Sequence, residues 1–265
     1  MPSEPATTTA SLRNGQYRDG RNLSARFELH QRFSTSRYPF HRWIFDHFAF
    51  DAGARILELG CGFGALWSAN ADRISADWDV TLSDMSFGML SEARTNLAGS
   101  GKFRFQQIDA SAIPSRAGVF DAVIANHMLY HVPDLARTLA EIRRVLKPGG
   151  SMYATTVGVA HMRELDRIAE RFIGVAPMTN VARFGLESGL APLRSVFSEV
   201  RLEPLRGELL VTEAEPMVAY IRSMTGLQRA PQERIGEMSR YIQEEIRTHG
   251  AIRITTESGI FIASR

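Results

Sequence analysis

The chain has 265 residues, a length that fits one large domain or one domain with a substantial insertion. Its hydrophobic fraction of 44% and charged fraction of 23% are those of an ordinary globular protein, and a net charge of +2 is too small to indicate a nucleic-acid partner. The longest apolar run, residues 217–221, is too short to cross a bilayer. The N-terminus lacks the pattern of a secretory signal and Cys61 is the single cysteine, so we expect a cytoplasmic protein that does not bind membranes.

From Arg55 onward, short apolar runs alternate with helical segments. Strands are predicted over residues 55–59, 79–82, 103–108, 120–125 and 151–156. The clearest helix has an apolar stripe from Leu135 to Leu146 and is ended by the Pro148-Gly149-Gly150 turn. This alternation predicts an α/β fold with a mainly parallel sheet that helices cover on both faces.

In the last hundred residues, short apolar runs and helical segments no longer alternate regularly. Two segments, 158–189 and 212–255, are rich in helical patterns. Strand-like stretches flank the second of them, at residues 199–202, 208–211 and 259–263. Insertions beyond the carboxyl ends of strands are where a doubly wound sheet carries the cover of its substrate site, and we expect that role here.

The most informative stretch is a strand that continues directly into a glycine-rich loop, Arg55-Ile-Leu-Glu-Leu-Gly60-Cys61-Gly62-Phe63-Gly64. Glycines at alternate positions permit positive φ angles and let a ligand approach the backbone closely. The loop alone leaves several enzyme cofactors open, including a dinucleotide because Ala65 completes a G-x-G-x-x-A pattern. A purely structural turn is a further alternative.

Two acids at the ends of the next strands narrow the choice of ligand. Asp84 ends the second predicted strand, where a carboxylate can accept hydrogen bonds from both hydroxyls of a ribose. Asp109 ends the third, where it can accept a hydrogen bond from the exocyclic amine of adenine. Three successive strand ends therefore suit an adenosine, although each acid could instead cap a helix. The sequence lacks a G-x-x-x-x-G-K-[ST] motif, which argues against nucleotide triphosphate chemistry.

Several ordered motifs together resemble the class I S-adenosylmethionine-dependent methyltransferases over at least residues 55–157. They are the E-L-G-C-G-F-G loop, Asp84, Asp109-Ala110, the stretch F-D-A-V-I-A-N-H-M-L-Y-H-V-P-D from Phe120, and R-R-V-L-K-P-G-G before the fifth strand. The N-terminal Y-R-D-G-R-N-L-S-A-R-F-E-L-H, which starts at Tyr17, is similar to a bacterial group of small-molecule, natural-product type methyltransferases with a helical lid.

The resemblance implies a Rossmann-like, doubly wound, mostly parallel sheet of seven strands, with helical insertions after strands five and six. It divides the chain into a disordered tail (1–12), an N-terminal helical lid (13–50), a cofactor-binding core (51–157) and a helical substrate cap with the closing strands (158–265). S-adenosylmethionine is the implied cofactor. Its expected contacts are Tyr17, Arg26, Glu58, Gly60, Cys61, Gly62, Gly64, Asp84, Met85, Asp109, Ala110 and Asn126. Cys61 is also explained as a small residue that fits the loop.

The end of the fourth strand is the expected floor of the substrate site. Methyl transfer from a sulfonium is a direct displacement, which needs a positioned nucleophile and no covalent residue. A histidine can remove the acceptor's proton, so His127, His131 and His161 are candidate bases, while a structural role stays open for each. His30 and His41 are further candidates. Expected acceptor contacts are Tyr38, Trp43, Trp67, Tyr130 and Glu213, and the aromatic side chains among them also suit core packing.

These observations predict a methyltransferase that acts on a small aromatic or heteroaromatic metabolite, with C-methylation of an electron-rich ring in specialised metabolism favoured. The alternatives are O- or N-methylation, an NAD-dependent oxidoreductase, and a sensor that binds S-adenosylmethionine without turnover. Asn126 is not followed by the Pro-Pro of DNA amino-methyltransferases, and no His or Cys cluster has metal-ligand spacing. We therefore expect neither a nucleic-acid substrate nor a metal, and a homo-oligomer is compatible with the sequence.

Overall fold

The computed structural model describes residues 21–100, 102–174, 179–224 and 230–265. Its centre is a seven-stranded sheet in the order β3-β2-β1-β4-β5-β7-β6. The strands are β1 (Arg55–Leu59), β2 (Asp79–Asp84), β3 (Phe103–Gln107), β4 (Phe120–Asn126), β5 (Leu146–Val157), β6 (Glu199–Val211) and β7 (Ile252–Ser264). The predicted α/β, mostly parallel sheet is confirmed: the pairs from β3 to β5 are parallel, and β7 runs antiparallel to β5 and β6.

Helices cover both faces of the sheet and its carboxyl edge. They are α1 (Arg21–Phe33), α2 (Phe40–Asp46), α3 (Ala65–Ser68), α4 (Phe87–Asn96), α5 (Leu135–Val145), α6 (Arg163–Ile173), α7 (Leu190–Arg194), α8 (Ala214–Arg222) and α9 (Gln232–His249). Short 3-10 turns lie at residues 71–73, 129–131 and 179–182. Of the helices in the described ranges, none combines the length and apolar character that crossing a membrane requires.

The antiparallel half of the sheet differs from the sequence prediction. The two short stretches predicted at 199–202 and 208–211 form one continuous strand, because β6 pairs with β7 along its whole length, with Pro204 opposite Gly259. β7 begins at Ile252, inside a segment predicted to be helical. Similarly, Leu146 leaves the predicted α5 stripe and starts β5. In each case pairing with a distant strand overrides the local pattern.

The strand order reverses between β1 and β4, and this reversal positions the site. Crevices at the carboxyl ends of strands beside such a reversal are where doubly wound sheets bind ligands. The loops after β1 and β4 lie there in contact, since a Cβ added to Gly60 would lie 2.9 Å from the Cβ of Met128.

A separate hydrophobic core joins α1 to the helices of the C-terminal cap. Leu29 and Phe33 of α1 are buried in it with Met217 and Tyr220 of α8 and with Met238 of α9. The helix predicted to belong to an N-terminal lid therefore packs against the predicted cap. Together they form one layer above the carboxyl edge of the sheet.

Candidate active site

The three glycines of the loop after β1 all have positive φ, at 68° for Gly60, 54° for Gly62 and 82° for Gly64. A Cβ on Gly64 would lie 2.9 Å from Leu97 Cδ1, so this glycine is needed for packing against the end of α4. Among the described residues, a Cβ on Gly62 would meet only Leu23 Cδ2 of α1, at 3.1 Å, the far end of a flexible side chain. Gly62 is therefore the loop position best placed to face a ligand.

This difference predicts opposite outcomes for two matched substitutions. Gly64→Ala should lower the free energy of unfolding by about 2–4 kcal/mol, because it combines left-handed strain with overpacking. Gly62→Ala should cost the fold about 1–2 kcal/mol and weaken S-adenosylhomocysteine binding by about tenfold or more. Denaturant melts and calorimetry on both variants measure the two effects. Normal binding by the Gly62 variant would show that this position does not face the ligand.

Asp84 connects the glycine loop to the end of β2. Its Oδ2 accepts a hydrogen bond from the Gly62 amide at 3.0 Å and its Oδ1 accepts one from the Ser86 amide at 2.8 Å. Ser86, rather than Asp84, caps α4, since the Ser86 side chain accepts from the Met89 amide. Burial raises the pKa of the Asp84 carboxyl group. Each of its oxygens has a further lone pair, so the carboxylate can still accept two hydroxyl donors.

Asp109 lies just beyond β3 and is exposed at the rim of the crevice. Its Oδ1 accepts from the Ser111 amide at 2.8 Å and from the Ser111 hydroxyl at 2.7 Å, and no α-helix begins there. The next residue, Ala110, is buried, and the Met85 carbonyl accepts from the Gln107 side chain. Two carboxylates beside an open glycine loop fit the ribose hydroxyls and the adenine amine of an adenosine group.

Glu58 is a buried carboxyl group held by two side chains. Trp67 Nε1 donates to its Oε2 at 2.7 Å and Asn126 Nδ2 donates to its Oε1 at 3.2 Å. Burial raises the pKa of Glu58 to about 7. The hydroxyl of Thr155 donates to Asn126 Oδ1 at 3.2 Å, so this network continues from the core to the ends of β4 and β5.

Trp67 corrects one sequence expectation. Its side chain has no exposed surface, so the expected contact with an acceptor is wrong. The indole is a core group because α3 turns it inward, where Glu58 provides an acceptor for its N–H.

Cys61 fills the loop as a small neutral residue. It is buried, its thiol lies 3.5 Å from the Gly62 carbonyl oxygen, and its amide donates to the Ser83 carbonyl. Burial raises the pKa of its thiol well above the ordinary value, which keeps the sulfur protonated and unreactive.

His127 follows β4 with a left-handed backbone, at a φ of 48°. Its amide donates to the carbonyl and the hydroxyl oxygen of Thr155, both at 3.1 Å, and these bonds hold the unusual conformation. The imidazole centroid lies 5.4 Å from the Phe40 ring and 6.5 Å from the Tyr130 ring. Burial, with smaller contributions from His41 and His30, lowers the pKa of His127 to about 3. The ring is therefore neutral at physiological pH and has a nitrogen lone pair for a proton, and its low pKa makes it a weaker base than an ordinary imidazole.

His131 and Tyr130 lie in the 3-10 turn after β4. Their rings are 4.5 Å apart, and burial followed by the charges of Arg26, His127 and Arg183 lowers the pKa of His131 to about 3. His131 does not cap α5, because the Asp134 side chain accepts from the Arg137 amide at that position.

His161 lies in the turn between β5 and α6, where it is only 6% exposed. Its Nδ1 accepts a hydrogen bond from the Glu257 amide at 3.1 Å, which places the proton of the neutral ring on Nε2. The His161 ring stacks on that of His30, with centroids 5.7 Å apart and planes 10° apart. Burial lowers the pKa of His161 well below the ordinary value.

The remaining predicted residues lie farther from the glycine loop and the histidines described above, or interact with other partners. Tyr38 is exposed and donates to Asp46, and Glu213 is exposed and pairs with Arg32. Trp43 stacks between Phe40 and His47. Arg26 donates to the hydroxyl of Ser223 at 3.0 Å and to its carbonyl at 2.7 Å. Tyr17 lies outside the described residues.

Sequence reasoning missed Thr155 as a part of the site. Thr155 could have been found, since it stands opposite Asn126 once β4 and β5 are paired in register.

Lowering the pH from 7 to 5 is expected to destabilise the fold. Burial lowers the pKa of His30 and His41 to about 4 and that of His127 and His131 to about 3, against about 6.5 in the unfolded chain. The unfolded state therefore binds more protons below pH 6.5, so the free energy of unfolding falls as the pH falls. Glu58, with a pKa of about 7, and Asp84, whose pKa burial also raises, act in the opposite direction, but they are two groups against these four histidines and His161.

Thermal melts should show a decrease in Tm of about 5–10 °C between pH 7 and pH 5. His30→Phe, which removes one of the four groups, should make the decrease smaller. An unchanged Tm across this range would contradict the burial of these rings.

Comparison with known proteins agrees with the fold. Residues 57–154 match a family described as a methyltransferase domain. The matched residues form a class I S-adenosylmethionine-dependent methyltransferase domain. The cofactor of this methyltransferase domain is S-adenosylmethionine, as the sequence predicted.

Curated relatives of the methyltransferase domain include two O-methyltransferases. The ubiquinone biosynthesis O-methyltransferase of Stutzerimonas stutzeri is 38% identical over 117 residues, which are 43% of this chain and 49% of that protein. The malonyl-acyl-carrier-protein O-methyltransferase of Enterobacter lignolyticus is 35% identical over 150 residues, which are 55% of this chain and 56% of that protein. The chain therefore spans about half the length of these curated relatives.

Solved structures share the fold over most of this chain. Phosphoethanolamine N-methyltransferase 2 of Haemonchus contortus, in complex with phosphomonomethylethanolamine and S-adenosylhomocysteine, matches with a TM-score of 0.59 at 18% identity, over 96% of this chain and 59% of that chain. The YcgJ protein of Bacillus subtilis matches with a TM-score of 0.58 at 16% identity, over 85% of this chain and 97% of that chain. At these identities the likeness concerns the fold.

Within the described residues, no three His, Cys, Asp or Glu side chains are arranged to hold a metal ion.

Proposed function

We propose that this chain transfers a methyl group from S-adenosylmethionine to a small aromatic or heteroaromatic metabolite. The observation that carries the proposal is the contact between the glycine loop and the loop that holds His127. Gly60 and Met128 touch there, and Met128 directly follows His127 in the chain, so a group bound along the glycine loop would lie beside the loop that carries the His127 imidazole. Aromatic rings from α1, α2 and the β4 loop surround this position, which suits a flat, apolar acceptor.

The cofactor contacts in this proposal come from the described residues that face the crevice. Asp84 accepts the ribose hydroxyls and Asp109 accepts the adenine amine, with Met85 and Ala110 beside the ring. Gly60 and Gly62 let the methionine portion approach the backbone, while Glu58 and Asn126 act indirectly by holding the loop ends together. The helical lid is α1, whose Leu23 lies over Gly62. Arg26, on the same helix, is the proposed partner of the methionine carboxylate. Tyr17, the other residue predicted for that role, lies outside the described residues.

The proposed chemistry needs little from the protein beyond position and one proton acceptor. S-adenosylmethionine supplies a methyl group on a sulfonium, and sulfur keeps the electron pair of the broken bond as S-adenosylhomocysteine forms. The nucleophilic atom of the acceptor gains the methyl group and loses a proton to His127, whose ring is neutral. His131 is the alternative base that could take this proton. His161 is less suited to the role because its Nδ1 already accepts a hydrogen bond.

We favour a ring carbon of an electron-rich aromatic as the methylated atom, in specialised metabolism. The supporting observation is the set of neutral histidines without an adjacent metal-binding group among the described residues. Transfer to oxygen is the second candidate, because both curated relatives are named O-methyltransferases.

Ligand binding tests the proposal before the acceptor is known. Calorimetry should give a micromolar or lower Kd for S-adenosylhomocysteine and no measurable binding of NADH. Binding of NADH in preference to S-adenosylhomocysteine would favour an oxidoreductase instead. Incubation with methyl-labelled S-adenosylmethionine and a panel of phenols and indoles, followed by mass spectrometry, then identifies the acceptor. A chain that binds the cofactor but transfers no label to any member of a broad panel would support a sensor.

A further inference from the structure

One face of α1 covers the site from the glycine loop to the turn after β5. Leu23 lies over Gly62, and the Phe27 ring is 6.3 Å from Phe63. One helical turn further along, the His30 ring stacks on His161. This face of α1 therefore covers the region in which an acceptor would meet the cofactor.

Under this face of α1, aromatic and imidazole rings contact one another in a continuous series. His41 lies 5.7 Å from Phe27 and 5.8 Å from Phe40, and Phe40 lies 5.4 Å from His127. His30, His41 and His127 keep part of their surface accessible, while His161 is buried behind His30. We name His30, His41, His127 and His161 the histidine cluster.

The histidine cluster carries no charge at physiological pH. Burial lowers the pKa of each ring, and the charged neighbours that act on His127 and His161 are other members of the cluster. For His30 and His41, burial lowers the pKa without a further contribution from any described residue. Among the residues that the structure describes, no carboxylate forms a hydrogen bond or an ion pair with any of the four rings. A cationic acceptor would therefore find no counter-charge here, and an anionic acceptor would find no cation within the cluster.

The nitrogen atoms of these rings still form hydrogen bonds. A neutral imidazole has one N–H donor and one nitrogen acceptor, so the accessible rings can pair with both hydroxyl and carbonyl groups. The phenyl rings of Phe27 and Phe40 provide apolar contact on either side of His41. Resting on the proposed function, we infer that the histidine cluster is the acceptor-binding site and that it selects an uncharged phenolic or carbonyl-bearing aromatic over amines and carboxylates.

A matched series of small rings tests this selectivity on the full chain saturated with S-adenosylhomocysteine at pH 7. The probes are 3,5-dihydroxyacetophenone, which is uncharged, 3,5-dihydroxybenzylamine, which is cationic, and 3,5-dihydroxybenzoate, which is anionic. NMR titration should show the ketone binding at least about tenfold more tightly than either charged ring. Equal or tighter binding of the amine or the benzoate, or no binding of the ketone at 5 mM, would overturn the inference.

Two variants connect the selectivity to the cluster. His30→Phe keeps a flat ring against His161 but removes both nitrogens, so it should weaken ketone binding by about tenfold while leaving S-adenosylhomocysteine affinity unchanged. His249→Phe, at the exposed end of α9, makes the same chemical change away from the site and should have no effect. If the His30 variant bound the ketone with an unaltered Kd, the acceptor would bind outside the histidine cluster and the inference would be wrong.

The ring resonances provide an independent measurement. The C2 proton shifts of the four cluster histidines should stay constant between pH 5.5 and pH 8, with added N-acetylhistidine as the reference. Titration of these rings in that range would refute an uncharged site. Failure of the chain to bind S-adenosylhomocysteine would instead refute the proposed function, so the two failures are distinguishable.

Discussion

Asp84→Ala is expected to weaken S-adenosylhomocysteine binding by roughly 30- to 1,000-fold. The substitution removes two charge-assisted hydrogen bonds to the ribose hydroxyls, which together contribute about 2–4 kcal/mol. It also removes the bonds that Asp84 accepts from the Gly62 and Ser86 amides, so the glycine loop loses its attachment to the end of β2. Both effects act in the same direction on cofactor affinity, and calorimetry measures their sum.

Two further variants separate these effects. Asp84→Asn keeps one oxygen acceptor and most of the shape, so a smaller loss is expected than for alanine. Asp109→Ala removes an exposed carboxylate whose protein contacts are local to Ser111, and it should weaken binding by about tenfold or less with no change in stability. Cofactor affinity that is unchanged in Asp84→Ala would refute the ribose assignment.

His127→Ala is expected to lower kcat by about 10²- to 10⁴-fold while leaving cofactor affinity nearly unchanged. His127 directly follows β4 and precedes Met128, which contacts the glycine loop, and its ring is neutral and so has a nitrogen lone pair for a proton. Its backbone is held by Thr155, so the substitution removes the ring without releasing the loop. Single-turnover kinetics with the identified acceptor, together with calorimetry of the cofactor, measure the two quantities separately.

The behaviour of His127→Asn distinguishes a base from a positioning group. An amide forms hydrogen bonds of similar reach but cannot accept the proton, so a positioning histidine would be largely replaced and a base would not. The pH profile is a second readout. An imidazole with the ordinary pKa would make kcat/KM rise near pH 6.5, whereas the lowered pKa of His127 predicts a profile that stays flat down to about pH 5. Near-normal turnover in His127→Ala would transfer the role to His131 or show that the acceptor needs no base.

Local patterns in the sequence were sufficient for the parallel half of the sheet and the cofactor crevice. The β1 strand has the predicted bounds, because a short apolar run between a charged residue and a glycine has few alternatives. The order of the glycine loop, Asp84 and Asp109 also located the crevice, since the carboxyl ends of successive parallel strands meet at one edge of a sheet. These inferences needed only residues that are near one another in the chain.

The antiparallel half depended on pairing that the sequence does not display. β6 and β7 are separated by two helices, and their full-length ladder joins two predicted fragments across Pro204. Such a ladder forms because each backbone group needs a partner, whatever the local propensity of the residues between the fragments.

The roles of the site side chains were decided by tertiary structure alone. An indole at position 67 could face solvent or core in the sequence, and only the buried carboxyl of Glu58 shows that it faces inward. The histidine cluster draws on α1, α2, the β4 loop and the β5 turn, four segments that are distant in the chain. Because the pKa of an imidazole depends on its burial and on its neighbours, the charge state of these rings could not be known until those four segments had been brought together.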